Sequence, residues 1–212
     1  MNQSYFKLPK SRQDQIINAG YKVFGTFPYQ KASMQELAEE AGISKSLLFY
    51  YFKNKKEYYF YLFTTALRFL NDHLTVDLHG EKADLFDLVD GTIQKRMELL
   101  RAYPYIFKFT ASAYYEKTPE LIPEIEQRKS RMMQVGKKEL IQIIRLDLFE
   151  NPDDAGDLID LILSTAEGCM RGKEDLEIRK IERVIPEYRK MMASLRAHYY
   201  KKQFCERVNH DD

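Results

Sequence analysis

The sequence has little of what several protein classes require. Its 212 residues include only two cysteines, Cys169 and Cys205, which are too few for a disulfide framework and too far apart for a C-x-x-C pair. Nine glycines and seven prolines are fewer than an all-β or low-complexity chain needs. The first residues contain no apolar stretch of the signal-peptide type, and no uncharged run approaches the ~18 residues of a membrane span. These absences favour a folded protein of the reducing cytoplasm with no membrane segment.

Residue patterns typical of enzymes are also missing. The four histidines have no spacing of the H-E-x-x-H kind, and neither a glycine-rich phosphate loop nor a G-x-S-x-G elbow occurs. The sequence therefore predicts no catalytic residue, no metal ligand and no cofactor.

Charge is distributed unevenly along the chain. Residues 1–58 contain nine basic and five acidic side chains, whereas the remaining residues contain 24 basic and 27 acidic ones. A basic segment joined to an acidic body is typical of a protein that meets a polyanion, although a solvated surface can have the same balance.

Capping residues and apolar spacing predict three short helices in the basic segment. The first covers 14–27, where apolar residues recur at helical intervals. The second begins at Ser33, which forms a capping box with Glu36, and ends at Gly42. The third has Ser44 as its N-cap. A short helix, a tight glycine turn and a second capped helix form the helix-turn-helix pattern.

A helical wheel separates two faces of the third helix. Leu48, Phe52 and Ser44 point towards the other two helices, at ~100° per residue. The outward and flanking positions are Ser46, Tyr50, Lys53, Leu47 and Phe49. This mixture of hydroxyl, amine and apolar groups suits a helix in a DNA major groove, unless the aromatic residues pack on a neighbouring domain.

Three lysines follow at the predicted start of a fourth helix, in the segment Lys53–Glu57. Free N–H groups beside positive side chains make a phosphate clamp. An ordinary solvated turn has the same composition.

Residues 10–60 resemble the N-terminal domain of the tetracycline-repressor (TetR) family of bacterial transcription regulators, both in these segments and in the order in which they occur. The resemblance rests on Ile16–Phe27 and on the run from Ser33 to Glu57. It covers about a quarter of the chain, and the rest agrees only in length and helical character.

The resemblance implies a set of DNA-contacting residues. By this resemblance, Ser33, Tyr51 and Lys55 would contact phosphates, and Tyr50 would face the bases. The family commonly has glycine at position 46 and tyrosine at position 49, so Ser46 offers a hydroxyl instead, and Phe49 cannot donate a hydrogen bond to a phosphate. The predicted DNA-binding set is Ser33, Lys45, Ser46, Leu47, Tyr50, Tyr51, Lys53 and Lys55.

The remaining residues also show helical spacing and no strand alternation. Helices are predicted over 58–76, 82–103, a short stretch after Pro104, 119–149, a stretch after Asn151 that ends at Gly172, and 175–204 with a kink at Pro186. The expected fold is all-α with about nine helices. A helix-turn-helix DNA-binding domain covers 1–54, and a larger helical ligand-binding and dimerisation domain covers 55–212.

The middle helices carry aromatic and methionine side chains suited to the wall of a pocket for a small apolar or aromatic effector. The same pattern is typical of an ordinary core. The candidate lining residues are Phe63, Leu67, Met97, Tyr103, Phe107, Phe109, Tyr114 and Met133.

The last two helices form a predicted hairpin with much apolar surface. By the resemblance they would build a four-helix bundle with their mates in a homodimer, and a helix-turn-helix protein usually reads two half-sites. The alternative is that they close the core of one chain. The candidate interface residues are Leu158, Leu161, Ile162, Thr165, Tyr188, Met191, Met192, Leu195 and Tyr199.

The sequence thus predicts a dimeric transcriptional regulator that binds a double-stranded DNA operator, acts as a repressor and leaves the operator when a small effector binds. The rival hypothesis is a helical carrier or enzyme whose first domain binds another protein. Only the regulator requires DNA binding that weakens steeply with salt.

Overall fold

This computed structural model describes residues 2–72, 81–170 and 178–205. This part of the chain contains ten α-helices. Within those ranges there is no β-strand, and isolated bridges join Ala83 to Ile144 and Phe149 to Tyr200. The all-α prediction is confirmed, with one short helix more than expected at the start. The bounds are α1 Gln3–Phe6, α2 Lys10–Thr26, α3 Met34–Glu40, α4 Lys45–Tyr51, α5 Lys55–Asp72, α6 Leu85–Ala102, α7 Ile106–Tyr114, α8 Ile122–Ile143, α9 Ala155–Met170 and α10 Ile178–Tyr199.

The long helix predicted over 119–149 is shorter in the structure. The carbonyl of Ile143 accepts a hydrogen bond from the Ala83 N–H at 2.8 Å, and the Arg145 N–H donates to the Ala83 carbonyl at 2.8 Å. These bonds replace the next helical ones, so α8 ends at Ile143 and Leu146–Leu148 form a 3-10 turn. The predicted helix end at residue 76, the break at Gly172 and the start at residue 175 lie outside the described residues.

Contacts divide the chain into two compact units. The first joins Met1–Leu70 to Glu98–Ser130, and the second joins Asn71–Met97 to Arg131–Asp212. The unit that contains the helix-turn-helix therefore extends well past residue 54. The boundary predicted after that residue stays a prediction.

In the first unit, α2 is the central helix. It packs against α3 and along α7, and its buried rings include Tyr21 and Phe24. A Cβ atom at Gly20 would lie 2.3 Å from Leu62 Cδ1 and 2.7 Å from the Tyr58 hydroxyl, so only glycine permits this approach of α2 to α5. The Tyr58 hydroxyl donates to the Ile16 carbonyl at 2.5 Å and ties α5 to α2.

In the second unit, α9 and α10 pack with the start of α6 around Phe149, Leu158 and Tyr200. A buried ion pair lies in this core, where Arg196 is 6% exposed and its Nη2 is 2.6 Å from Asp84 Oδ2. The Tyr200 hydroxyl donates to the same carboxylate at 3.3 Å. Among the described helices, none is both long and apolar enough to cross a bilayer.

Candidate nucleic-acid interface

The turn between α3 and α4 is fixed by its own side chains. The Ser33 hydroxyl accepts from the Glu36 N–H, and the Glu36 carboxylate accepts from the Ser33 N–H, which confirms the predicted capping box. These hydrogen bonds lower the pKa of Glu36 from its ordinary 4.5. Gly42 has φ +62°, and its N–H donates to the Glu39 carbonyl at 3.0 Å. The Ser44 hydroxyl then accepts from the Leu47 N–H at 3.2 Å and starts α4, as predicted.

The two faces of α4 follow the helical wheel, with one exception. Leu48 and Phe52 are fully buried against the first unit's core, whereas Tyr50 is 55% exposed and Ser46 lies at the surface. Ser44 is exposed rather than inward, because an N-cap residue has extended backbone (φ −70°, ψ 149°) and leaves the helical wheel. The outward face predicted for α4 is therefore present and open to solvent.

Two exposed lysines flank this face, and the Glu57 carboxylate accepts from the backbone N–H of one of them, Lys53, at 2.8 Å. Lys45 begins α4 and Lys53 follows it, and both side chains are exposed. No ion pair within the described ranges engages either of them, while Lys22 pairs with Glu40 at 2.7 Å on another surface. Both ammonium groups are positioned to meet an anion.

The ammonium group of Lys55, the predicted phosphate clamp, is engaged within the first unit. Its ammonium group donates to the carbonyls of Tyr29 and Ala32, each at 2.8 Å, and lies 4.4 Å from the Tyr29 ring centroid. Burial of the ammonium lowers the pKa of Lys55. The side chain therefore ties the loop before α3 to the start of α5.

The other predicted DNA contacts differ in accessibility. Ser33 is exposed at the start of α3, and Leu47 is half-buried. Tyr51 is only 7% exposed, with its ring edge-on to Tyr5 at 5.8 Å. Of the eight residues, six lie on the solvent side of the α3–α4 region, whereas Tyr51 and Lys55 are engaged inside the unit.

Sequence reasoning missed α1, which contacts α4. Asn2 caps α1 through its side chain, and its backbone N–H donates to the Tyr51 carbonyl at 2.9 Å. Ser4 and Tyr5 then reach Tyr50 and Tyr51. Asn2 followed by two aromatic residues and Pro9 is the local signal, but a four-residue helix has no periodicity to read.

The helix-turn-helix region matches a known protein family. Residues 16–60 match the sequence model of a family described as bacterial regulatory proteins, tetR family. The match covers α3, the turn and α4, together with most of α2 and the start of α5. The family resemblance is therefore carried by residues 16–60. No curated protein matches the chain significantly.

The fold of this chain is similar, over most of its length, to solved structures of TetR-like regulators. The fatty acid degradation regulator FadR from Bacillus halodurans matches at 17% identity and TM-score 0.58, over 84% of this chain and 97% of its own. A TetR family transcriptional regulator from Chloroflexus aurantiacus matches at 17% identity and TM-score 0.57, over 95% and 99%. NalD from Pseudomonas aeruginosa, described as the secondary repressor of the MexAB-OprM multidrug efflux pump, matches at 12% and 0.54, over 91% and 98%. All three are described as regulators or repressors.

Several of the residues predicted to line an effector pocket pack against aromatic rings of the first unit. Phe109 is buried against Tyr21 and Tyr59, with ring centroids 5.2 and 5.4 Å away, and Tyr103 packs edge-on to Tyr21. Of the rest, Phe63 and Leu67 are buried, Phe107, Tyr114 and Met97 are half-buried, and Met133 is exposed. The aromatic pattern of this TetR-like chain belongs largely to the core of the first unit.

The structure shows a cavity in the second unit instead. It has a volume of about 40 Å³ and an apolar wall that includes Leu88, Leu140 and Ile162, with Thr92 and Arg96 as polar members. Pockets for drug-sized ligands have roughly 300–1,000 Å³. This cavity holds a larger molecule only if the lining helices move apart.

The predicted dimer residues fall into three groups. Leu158, Ile162 and Met192 are buried in the second unit's own core. Leu161 and Met191 are 41% and 38% exposed. The remaining four, Thr165, Tyr188, Leu195 and Tyr199, are half-buried.

Within the described ranges, no group of three or more His, Cys, Asp or Glu side chains is placed to hold a metal ion.

Proposed function

We propose that this protein is a dimeric transcriptional repressor that reads an operator with the outward face of α4 and leaves it when a small effector binds. The observation that carries the proposal is the exposed face of α4 within the segment that matches the tetR-family model. A seven-residue helix with exposed lysine, serine and tyrosine side chains fits the major groove, where polar groups reach base edges.

Electrostatics favours DNA as the partner of this face. Lys45 and Lys53 have exposed ammonium groups that can neutralise phosphates, and Lys53 does so beside the Glu57 carboxylate. Each neutralised phosphate releases counterions, and log affinity then falls with log salt by about 0.9 per contact.

Dimerisation follows from how a helix-turn-helix reads DNA. Two half-sites about 34–36 Å apart, or a multiple of that distance, need two copies of α4. Leu161 and Met191 on α9 and α10 leave apolar surface exposed in one chain, which a second copy would cover.

Release by an effector is the remaining part of the proposal. The cavity of the second unit is the proposed effector site, and its apolar wall suits a small apolar or aromatic molecule. Effector binding would change the separation of the two α4 helices in the dimer, so that both half-sites can no longer be filled together. The similar Pseudomonas aeruginosa protein is described as a repressor, which agrees with the proposed repressor role.

Selection of DNA from a random pool tests the DNA-binding part. We expect one enriched sequence with two related half-sites, bound with an affinity that falls steeply between 50 and 200 mM salt, as about 6–10 phosphate contacts would require. A helical carrier or enzyme whose first domain binds another protein would enrich no sequence.

A comparison of two preparations tests the effector part. Protein as purified and protein refolded after removal of co-purified small molecules are titrated with the selected DNA. We expect the stripped protein to bind more tightly, and the extracted molecules to weaken it again. Equal affinity of both preparations, with extracted molecules bound but without effect, would contradict effector release.

A further inference from the structure

The short helix α1 is firmly attached to the C-terminal end of α4. Tyr5 is fully buried, with ring centroids of Phe52, Tyr61 and Tyr51 at 5.0, 5.3 and 5.8 Å. The Tyr61 hydroxyl donates to the Tyr5 hydroxyl at 3.3 Å. Together with the bond from the Asn2 N–H to the Tyr51 carbonyl, this packing fixes the position of α1 against α4.

Ser4 extends from this anchored helix to the exposed face of α4. Its hydroxyl lies 3.0 Å from the Tyr50 hydroxyl, and the two share a hydrogen bond. The Ser4 backbone N–H donates to Asn2 Oδ1 at 2.9 Å, which holds Ser4 in place. Tyr50 is 55% exposed, and its ring is tilted against the neighbouring Tyr51 ring, with the centroids 5.8 Å apart.

We propose that Ser4 is a positioning residue for DNA recognition, because its hydroxyl holds the Tyr50 phenol in the orientation that α4 presents to the bases. The inference rests on the proposed function. An exposed tyrosine samples several rotamers, and ordering one of them at an interface costs free energy. The Ser4 contact selects one rotamer before DNA arrives.

The contact also directs the hydrogen-bonding capacity of Tyr50. A phenol hydroxyl has one hydrogen to donate and lone pairs to accept with. One of these is used by Ser4, which leaves the others available for a base edge. Ser4 thereby influences which base Tyr50 selects, without touching the DNA itself.

The test compares Ser4→Ala, Tyr50→Phe and the double variant on the selected DNA and on single-base-pair variants of it. We expect Ser4→Ala to weaken binding to the selected site by about two- to tenfold, the range of one hydrogen bond. The loss is confined to discrimination at the base pairs that face Tyr50, and the salt slope stays the same because no phosphate contact is lost. In the Tyr50→Phe background, Ser4→Ala has no further effect.

Two controls separate positioning from folding. Ser11→Ala removes an exposed hydroxyl from α2 and leaves DNA binding unchanged. Ser4→Thr keeps a hydroxyl and restores discrimination. In the NMR spectrum of the free protein, the ζ-carbon signal of Tyr50 is assigned by its absence in Tyr50→Phe. We expect this signal to shift in Ser4→Ala, whereas the melting temperature of that variant stays the same.

Each failure has its own signature. If the unaltered protein selects no DNA sequence, the proposed function falls and the inference falls with it. If it binds its site but Ser4→Ala is neutral, weakens all sequences equally, or adds to the effect of Tyr50→Phe, only the inference is overturned.

Discussion

Gly42 and three polar residues at helix ends decide how α3 meets α4. Ser33, Glu36 and Ser44 each supply a side-chain hydrogen bond to a backbone N–H that the helix leaves unpaired. Gly42 supplies the left-handed residue that turns the chain between the helices, and Arg12 donates to its carbonyl at 3.0 Å. The orientation of the proposed DNA-reading face depends on these few residues.

Substitution of Gly42 tests the turn. Gly42→Ala places a Cβ at φ +62°, so we expect a loss of about 1–2 kcal/mol in unfolding free energy. Gly91 within α6 has open space around its Cβ position, and Gly91→Ala should instead stabilise the protein by up to about 1 kcal/mol. Chemical denaturation measures both, and a Gly42→Ala protein as stable as the unaltered chain would contradict the role of the turn.

The pH dependence of the capping box follows from Glu36. Its pKa is lower in the folded chain than its ordinary 4.5, so the unfolded state binds the extra proton. The stabilisation is fully present above pH 4.5 and is lost as the pH falls through the lower folded-state value. We expect the difference in unfolding free energy between the unaltered chain and Glu36→Gln to shrink over that window. A difference that does not change with pH would contradict the assignment.

Among the elements, α4 carries the proposed recognition face and α1 packs against it. The exposed residues of α4 include a charged one, Lys45, and a phenol, Tyr50, which we propose faces the bases. These two have different physical consequences for DNA binding, because phosphate contacts act on every sequence while base contacts act on one.

Two substitutions in α4 separate these contributions. Tyr50→Ala should cost about 1–3 kcal/mol on the selected site and relax its sequence preference, whereas Lys45→Ala should weaken all sequences alike and reduce the salt slope by about 1. Titrations of specific and scrambled DNA over a range of salt concentrations measure both effects. If Tyr50→Ala binds the selected site with unchanged affinity, Tyr50 is not one of the residues that contact the bases.

The helix-turn-helix was predictable because its helices begin and end at residues with specific capping chemistry. The roles of Ser33, Gly42 and Ser44 at helix ends can be predicted from residue type and spacing alone. Lys55 does not, since its bonds to the Tyr29 and Ala32 carbonyls exist only once the loop and α5 have met. Likewise, an apolar stripe looks the same in sequence whether it lines a pocket, an interface or a core, so the pocket residues could not be identified in advance.

At the scale of the whole molecule, the second unit depends on a buried charge pair. Arg196 and Asp84 are both almost inaccessible, and the Asp84 carboxylate also accepts from Tyr200. Each partner compensates for taking the other out of water, so removal of one leaves an uncompensated buried charge.

Removal of Arg196 tests that dependence. Arg196→Met should lower the unfolding free energy by about 3–5 kcal/mol, because Asp84 loses its partner. The exposed pair of Arg189 with Asp90 at 2.6 Å is the control, and Arg189→Met should cost less than about 1 kcal/mol. Similar losses in the two variants, measured by chemical denaturation, would show that the buried pair is not what stabilises this core.

The central claim is that the outward face of α4 lies in the major groove of its operator. The most direct measurement attaches an iron chelate to Ser46→Cys, in a chain whose native cysteines are changed to serine, and maps hydroxyl-radical cleavage of the selected DNA. The account predicts two short cleavage tracts, one in each half-site, separated by about 34–36 Å or a multiple of that distance, and none above background on scrambled DNA. Binding of the selected DNA with cleavage absent or spread evenly along it would contradict the account.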